Sequence, residues 1–299
     1  MEGLLMPLNS FASFRDAVSG FGCAAVLAAM MGACATAQQV QDGPSPSKIV
    51  PASDVDWGPL NPARGDASPR AGTLWGDRAA AGASGFLVQF KQGFSSPPHI
   101  HNVTYRGVVI EGRIHNDDPA AANMWLPAGS FWTQPAGEAH ITSAEGEFNM
   151  AYIEIDEGPY LVQPTENAFD NGERPVNLDR SNLVWLDASD IAWIERDGGA
   201  EVAFLWGGEA DTGARGTLVK LPAGQSVRLS GDRADLKIVS ISGEPEVQLG
   251  GANAKHVLMP GSFVASAPNA ADVFVCNVKT DCLLYVRSEG HFEITSTRN

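Results

Sequence analysis

Residues 93–117 read GFSSPPHIHNVTYRGVVIEGRIHND and carry His99, His101 and His115, half of the six histidines in the chain. In an extended strand, side chains two positions apart point to the same face. His99 and His101 can therefore reach one point from one strand. A lone H-x-H arises often by chance, so its surroundings decide what it means. Residues 126–140 read LPAGSFWTQPAGEAH, and the glycine–proline turn before His140 suits a strand that brings a third imidazole round. Three converging imidazoles are a good set for Zn, Fe, Ni, Mn or Cu, with positions left over for water or substrate.

Around these stretches the chain reads as all-β. Runs such as GFLVQF, RGVVIEG, FNMAYIEI, GTLVKL, LKIVSISG and CLLYVRS are short, β-branched or alternating, and Gly, Pro, Asn and Asp separate them. The mature part shows no long helical periodicity. The chain also repeats itself. Leu74-Trp75-Gly76 recurs as Leu205-Trp206-Gly207, an offset of 131 that also places Gly85 on Gly216, Gly93 on Gly224 and Gly112 on Gly243. One position later, LPAGSF at 126–131 lies over LMPGSF at 258–263. Glycines kept at matching places imply the same turns made twice, hence two β domains of one design.

The spacing of the first copy resembles the two motifs of the cupin superfamily. Gly93, His99, His101 and Gly112 fall at the first motif's positions, and Gly129, Pro135, Gly137 and His140 at those of the second. The resemblance implies an all-β fold of two tandem double-stranded β-helix barrels, relatives of the jelly roll. It implies one divalent metal ion (Fe, Zn, Mn or Ni) held by His99, His101 and His140. Where the family usually has a glutamate ligand this chain has Tyr105, and Ala144 replaces its final asparagine. Tyr105 is then a hydrogen-bond donor in the pocket, a weak fourth ligand, a general acid or a packed aromatic. Glu138 could supply a carboxylate or simply face solvent, and His115 reads as a loop histidine near the barrel mouth. Trp125, Trp132 and Tyr152 lie on strands that face either a cavity or the core. Asn102-Val103-Thr104 matches a glycosylation sequon but lies between ligand candidates, and is set aside.

In the second copy the ligand positions read Ser230, Asp232 and Asp272, with Leu236 at Tyr105 and Asn269 at Gly137. This barrel is expected to be degenerate and metal-free, packing on the first or mediating a homodimer. The organisation expected is a signal at 1–37, a linker with little fixed structure at 38–56, a metal-binding barrel at 57–165, an interdomain linker at 166–182 and a second barrel at 183–299.

The signal reading rests on GFGCAAVLAAMMGACATA, too short to span a bilayer comfortably and ending in an A-x-A site. MGAC also resembles a lipoprotein signal, with Cys34 as the lipidated residue. Export to a periplasm-like space follows, with no transmembrane segment after signal removal. Removing 1–37 leaves Cys276 and Cys282, which flank NVKTD at the mouth of a hairpin and read as a disulfide or as two small buried hydrophobes. The net charge of −15 with no Lys/Arg run disfavours nucleic acid. No serine nucleophile elbow or phosphate loop is present, so covalent hydrolysis is disfavoured. The readings that remain are a metal-dependent enzyme (oxygenase, lyase or isomerase) acting through Tyr105 on a small oxygenated molecule, and a non-enzymatic metal- or ligand-binding cupin similar to the sensor half of anti-sigma factors.

Overall fold

Period-two alternation, broken at glycine turns, folds the chain into paired antiparallel strands. The computed structural model describes residues 46–196, 199–207, 213–233 and 235–297; the expected signal at 1–37 lies outside them. In the first barrel one wall is a seven-stranded sheet in the order Val176–Leu178, Phe131–Gln134, Tyr105–Glu111, Phe148–Ile155, Ser84–Lys91, Arg70–Trp75, Trp57–Pro59. The facing wall is made of Ile141–Ala144, Arg113–Asp117 and Leu126–Pro127, with the pair Val162–Gln163 and Ile100–His101 beside them. The second barrel repeats the plan with a six-stranded and a five-stranded sheet. Two double-sheet barrels are thus present, two domains as the repeat implies and barrels as the cupin resemblance implies.

The repeat holds down to single atoms. The Trp75 indole N–H donates to the Tyr152 hydroxyl at 3.0 Å, and Trp206 donates to Tyr285 at 2.9 Å. Gly85 and Gly216 face these two pairs, and a Cβ at either would collide with the indole nitrogen and the hydroxyl. Gly137 (φ 78°) and Asn269 (φ 55°) hold the same left-handed turn, a conformation asparagine tolerates better than most side chains.

Two segments expected to be linkers are ordered arms. Lys48–Val50 pairs with Phe263, Val264 and Ala265 of the second barrel, and Val55 just after it is buried. In return Val176–Leu178 pairs with Phe131, Trp132 and Thr133 of the first. Each arm ends in the same clasp. The Ala52 N–H donates to Ser262 Oγ and the Arg180 N–H to Ser130 Oγ, both at 3.0 Å. The reading of 38–56 and 166–182 as linkers therefore fails where these strands form. A barrel leaves an edge of unpaired backbone groups, and a neighbouring arm satisfies them.

Between the barrels lies an apolar layer with Leu87, Val108, Phe131 and Tyr152 on one side and Leu218, Val239, Phe263 and Tyr285 on the other. At its edge the buried Glu154 carboxylate accepts from Tyr152 (3.0 Å), Tyr285 (2.7 Å) and Arg287 (3.3 Å). Tyr152 therefore belongs to this seam and not to the metal cavity. Cys276 and Cys282 form a disulfide, with Cα atoms 5.8 Å apart. Among the described residues no helix is long and apolar enough to cross a membrane.

Candidate metal centre

Three strand ends bring the first barrel's histidines together. His99 and His140 face each other as a bridge and exchange backbone hydrogen bonds of 3.1 and 3.0 Å. His101 ends the short strand Ile100–His101. The ligand atoms of His99, His101 and His140 all lie within 4.8 Å of one another, the one such cluster among the described residues. His101 and His140 are buried and His99 is half-buried.

Each ring is oriented by a backbone carbonyl. Nδ1–H donates from His99 to Pro97 O (2.9 Å), from His101 to Leu161 O (3.0 Å) and from His140 to Glu138 O (3.3 Å). That arrangement leaves every Nε2 unprotonated, the device by which metal-binding histidines are held in one tautomer. Burial lowers the pKa of all three. His140 is held down to about 3, and the neighbouring imidazoles push His101 further the same way. Three neutral imidazoles with converging Nε2 atoms fit a divalent ion, which needs deprotonated ligands.

Tyr105 lies beside His140, its hydroxyl 3.3 Å from His140 Nε2. The hydroxyl donates to Asn116 Oδ1 at 2.7 Å; Thr142 donates to the same oxygen, and Asn116 Nδ2 donates to Gln134. Burial raises the phenol's pKa. Glu138 takes part through its backbone oxygen, and its carboxylate is not in the cluster. His115 is buried on the strand Arg113–Asp117, where its Nδ1 accepts the Met124 N–H and its ring meets Trp125. It takes no part in the site. Asn102 is committed to the backbone, donating to Pro159 O (2.9 Å) and accepting from Leu161 N (2.8 Å). In the second barrel, Asp272 at the His140 position is buried and accepts from Ser47, Gly250 and Ser266.

One residue of the site was missed in the sequence. Tyr160 stacks on His101 with ring centroids 4.3 Å apart, and its hydroxyl lies 3.1 Å from His101 Nε2. It lies between the strands Phe148–Ile155 and Val162–Gln163, outside both motifs, and no spacing signal marks it. His99, His101 and both tyrosines border a cavity of about 740 Å³ counted out to its mouth; His140, fully buried, is not among its lining residues. Val88, Phe90, Phe94, Trp132 and Ile153 line its walls, and Arg64 stands among the lining residues with its guanidinium over Phe94.

Residues 48–295 match a family model described as a domain of unknown function, DUF4437. The chain belongs to the DUF4437 family. Both barrels fall within that DUF4437 match. Among curated proteins no sequence matches. Solved structures share the fold at low identity. A Nostoc punctiforme protein named as a candidate dioxygenase is 14% identical with a TM-score of 0.60, covering 85% of this chain and 87% of that one. Salicylate 1,2-dioxygenase from Pseudaminobacter salicylatoxidans is 13% identical, with a TM-score of 0.54 and coverage of 84% and 87%. Hazelnut (Corylus avellana) vicilin is 11% identical, with a TM-score of 0.54 and coverage of 83% and 87%. Enzymes and a seed globulin alike are similar to this DUF4437 chain, so what they share is the cupin fold; function must come from the site.

Proposed function

We propose that the first barrel is a mononuclear metal enzyme acting on a small oxygenated molecule, of the oxygenase, lyase or isomerase type. One observation carries this reading: three imidazoles held neutral by burial bring their ligand atoms within 4.8 Å of one another, two of them, His99 and His101, at the wall of a largely apolar cavity. An ion held there would supply a Lewis acid for a substrate oxygen and, if it is iron or copper, a binding point for dioxygen. The chain's own residues do the rest. Val88, Phe90, Phe94, Trp132 and Ile153 exclude water and accept an apolar body, with Arg64 available to an anionic end. Tyr105, its hydroxyl fixed by Asn116, presents an oxygen that orients the substrate or passes it a proton. The second barrel, with Asp272 in place of the third histidine, supports the first through the shared seam. Export to an oxidising compartment, with a lipid anchor at Cys34 as the variant, completes the proposal. The signal-like N-terminus and the Cys276–Cys282 disulfide support it.

Elemental analysis tests the centre. Protein purified without chelator or added metal is expected to hold about one ion per chain, and His99→Ala and His140→Ala are each expected to lose it. Iron would direct the search to oxygen consumption, and zinc or manganese to redox-neutral chemistry. No metal in the wild type, even after reconstitution, would remove the site and leave a two-barrel binding protein. A bound ion that resists chelators and ignores small oxygenated ligands would favour the sensing alternative.

A further inference from the structure

Tyr160 is built into the centre with more care than a cavity wall requires. Its backbone is clamped on both sides. Its N–H donates to Arg78 O at 2.8 Å, and Asn102 grips the carbonyl before it and the N–H after it. The next carbonyl, Leu161 O, is the one that orients His101, and Val162–Gln163 pairs with Ile100–His101. The ring lies nearly parallel to His101, at 21°. Its hydroxyl, 3.1 Å from His101 Nε2, has no other hydrogen-bond partner among the described residues.

That Nε2 lone pair is the one an ion would take. Once it is taken, the buried Tyr160 hydroxyl loses its sole acceptor and faces the ion itself. Two ligand atoms each about 2.0–2.1 Å from one ion lie roughly 3.0–3.4 Å apart at ordinary coordination angles, and the observed separation falls within that range. Tyr105 is as near to His140, but its proton is held by Asn116 Oδ1, which Thr142 also occupies. The two phenols are therefore not equivalent.

We propose that Tyr160 is the fourth protein ligand of the centre, bound through its oxygen as phenolate. This rests on the three-histidine reading above. The O–H bond breaks as the ion binds, the proton leaves to solvent, and the oxygen lone pair goes to the ion. The phenolate supplies the negative charge that the glutamate replaced by Tyr105 would have brought. It also bears on which ion suits an enzyme here. Four protein ligands close a tetrahedral zinc site, whereas six-coordinate iron, manganese or nickel keeps two positions for substrate.

The test loads the full-length protein with ferric iron alone and records metal content, visible absorption and resonance Raman spectra. Wild type is expected to bind about one iron per chain, with an intense visible phenolate-to-iron charge-transfer band and enhanced tyrosine ring modes. In Tyr160→Phe the band should vanish while iron stays bound. In Tyr105→Phe it should remain. The chain has four tyrosines, and Tyr152 and Tyr285 lie in the seam between the barrels. A band that survives in Tyr105→Phe is thus assigned to Tyr160 even if Tyr160→Phe does not fold. Iron bound without the band, a band that persists in folded Tyr160→Phe, or a band lost in Tyr105→Phe overturns the ligand assignment and spares the three histidines. No iron bound by wild type overturns the phenolate assignment, and the three histidines then stand or fall by the elemental analysis above.

Discussion

Replacing Asn102 by alanine should loosen the metal site without touching a ligand. Its side chain makes two hydrogen bonds, to Pro159 O and from Leu161 N, that hold the segment after the first barrel against Ile100–His101. Each is worth about 0.5–1.5 kcal/mol net, so the substitution should destabilise the metal-free protein by roughly 1–3 kcal/mol. At about 2–4 °C per kcal/mol for a protein of this size, the thermal midpoint should fall by several degrees. The second effect is chemical. Leu161 O is the acceptor that fixes the His101 ring, and removing such a partner costs about 10–100-fold in metal affinity. Calorimetry of the metal-free protein measures the first effect, and competition with a chelator measures the second. A lower midpoint with unchanged affinity would refute the claim that this segment orients His101. An unchanged midpoint would refute the hydrogen-bond account altogether.

Gly85→Ala drives a methyl group into the Trp75–Tyr152 hydrogen bond, and Gly216→Ala does the same to Trp206–Tyr285. Each should cost roughly 1–3 kcal/mol in denaturant unfolding, and a neutral result at either would count against the matched seam. Acid should weaken the metal-free protein through its histidines. Burial holds His140 at about 3 in the folded state against 6.5 in the free side chain, so the unfolded chain takes up its proton first. Stability is then fully present above about pH 6.5 and falls towards pH 3, by about 1.4 kcal/mol per pH unit for each histidine titrating only when unfolded. His140→Gln should flatten that slope, and an unaltered slope would argue against a neutral buried imidazole. Reducing Cys276–Cys282, or Cys282→Ser, opens a short loop and should cost about 2 kcal/mol in the chain-entropy account, read as a shift in the urea midpoint.

Much of the architecture and all of the centre except Tyr160 were legible in the sequence. Strands announce themselves by two-residue alternation, and turns by residues that the backbone itself demands. Two copies of one pattern at a fixed offset therefore specified two β domains of one design, and the resemblance to cupins implied that each is a barrel. His99, His101 and His140 could be picked out because their spacing from Gly93, Gly112, Gly129 and Gly137 resembles the two motifs of the cupin superfamily. The second copy is expected to hold no metal because Ser230, Asp232 and Asp272 replace its imidazoles. Tertiary structure decided what depends on residues far apart meeting. The arms at Lys48–Val50 and Val176–Leu178 look like linkers because three residues with an exposed face carry little periodicity, and only a partner's open edge makes them strands. Tyr152 could not be placed in the seam until the second barrel supplied Tyr285 and Arg287 around Glu154. Tyr160 lies outside both motifs, and its hydroxyl reaches His101 because Asn102, at the end of the strand paired with Val162–Gln163, holds its backbone in place.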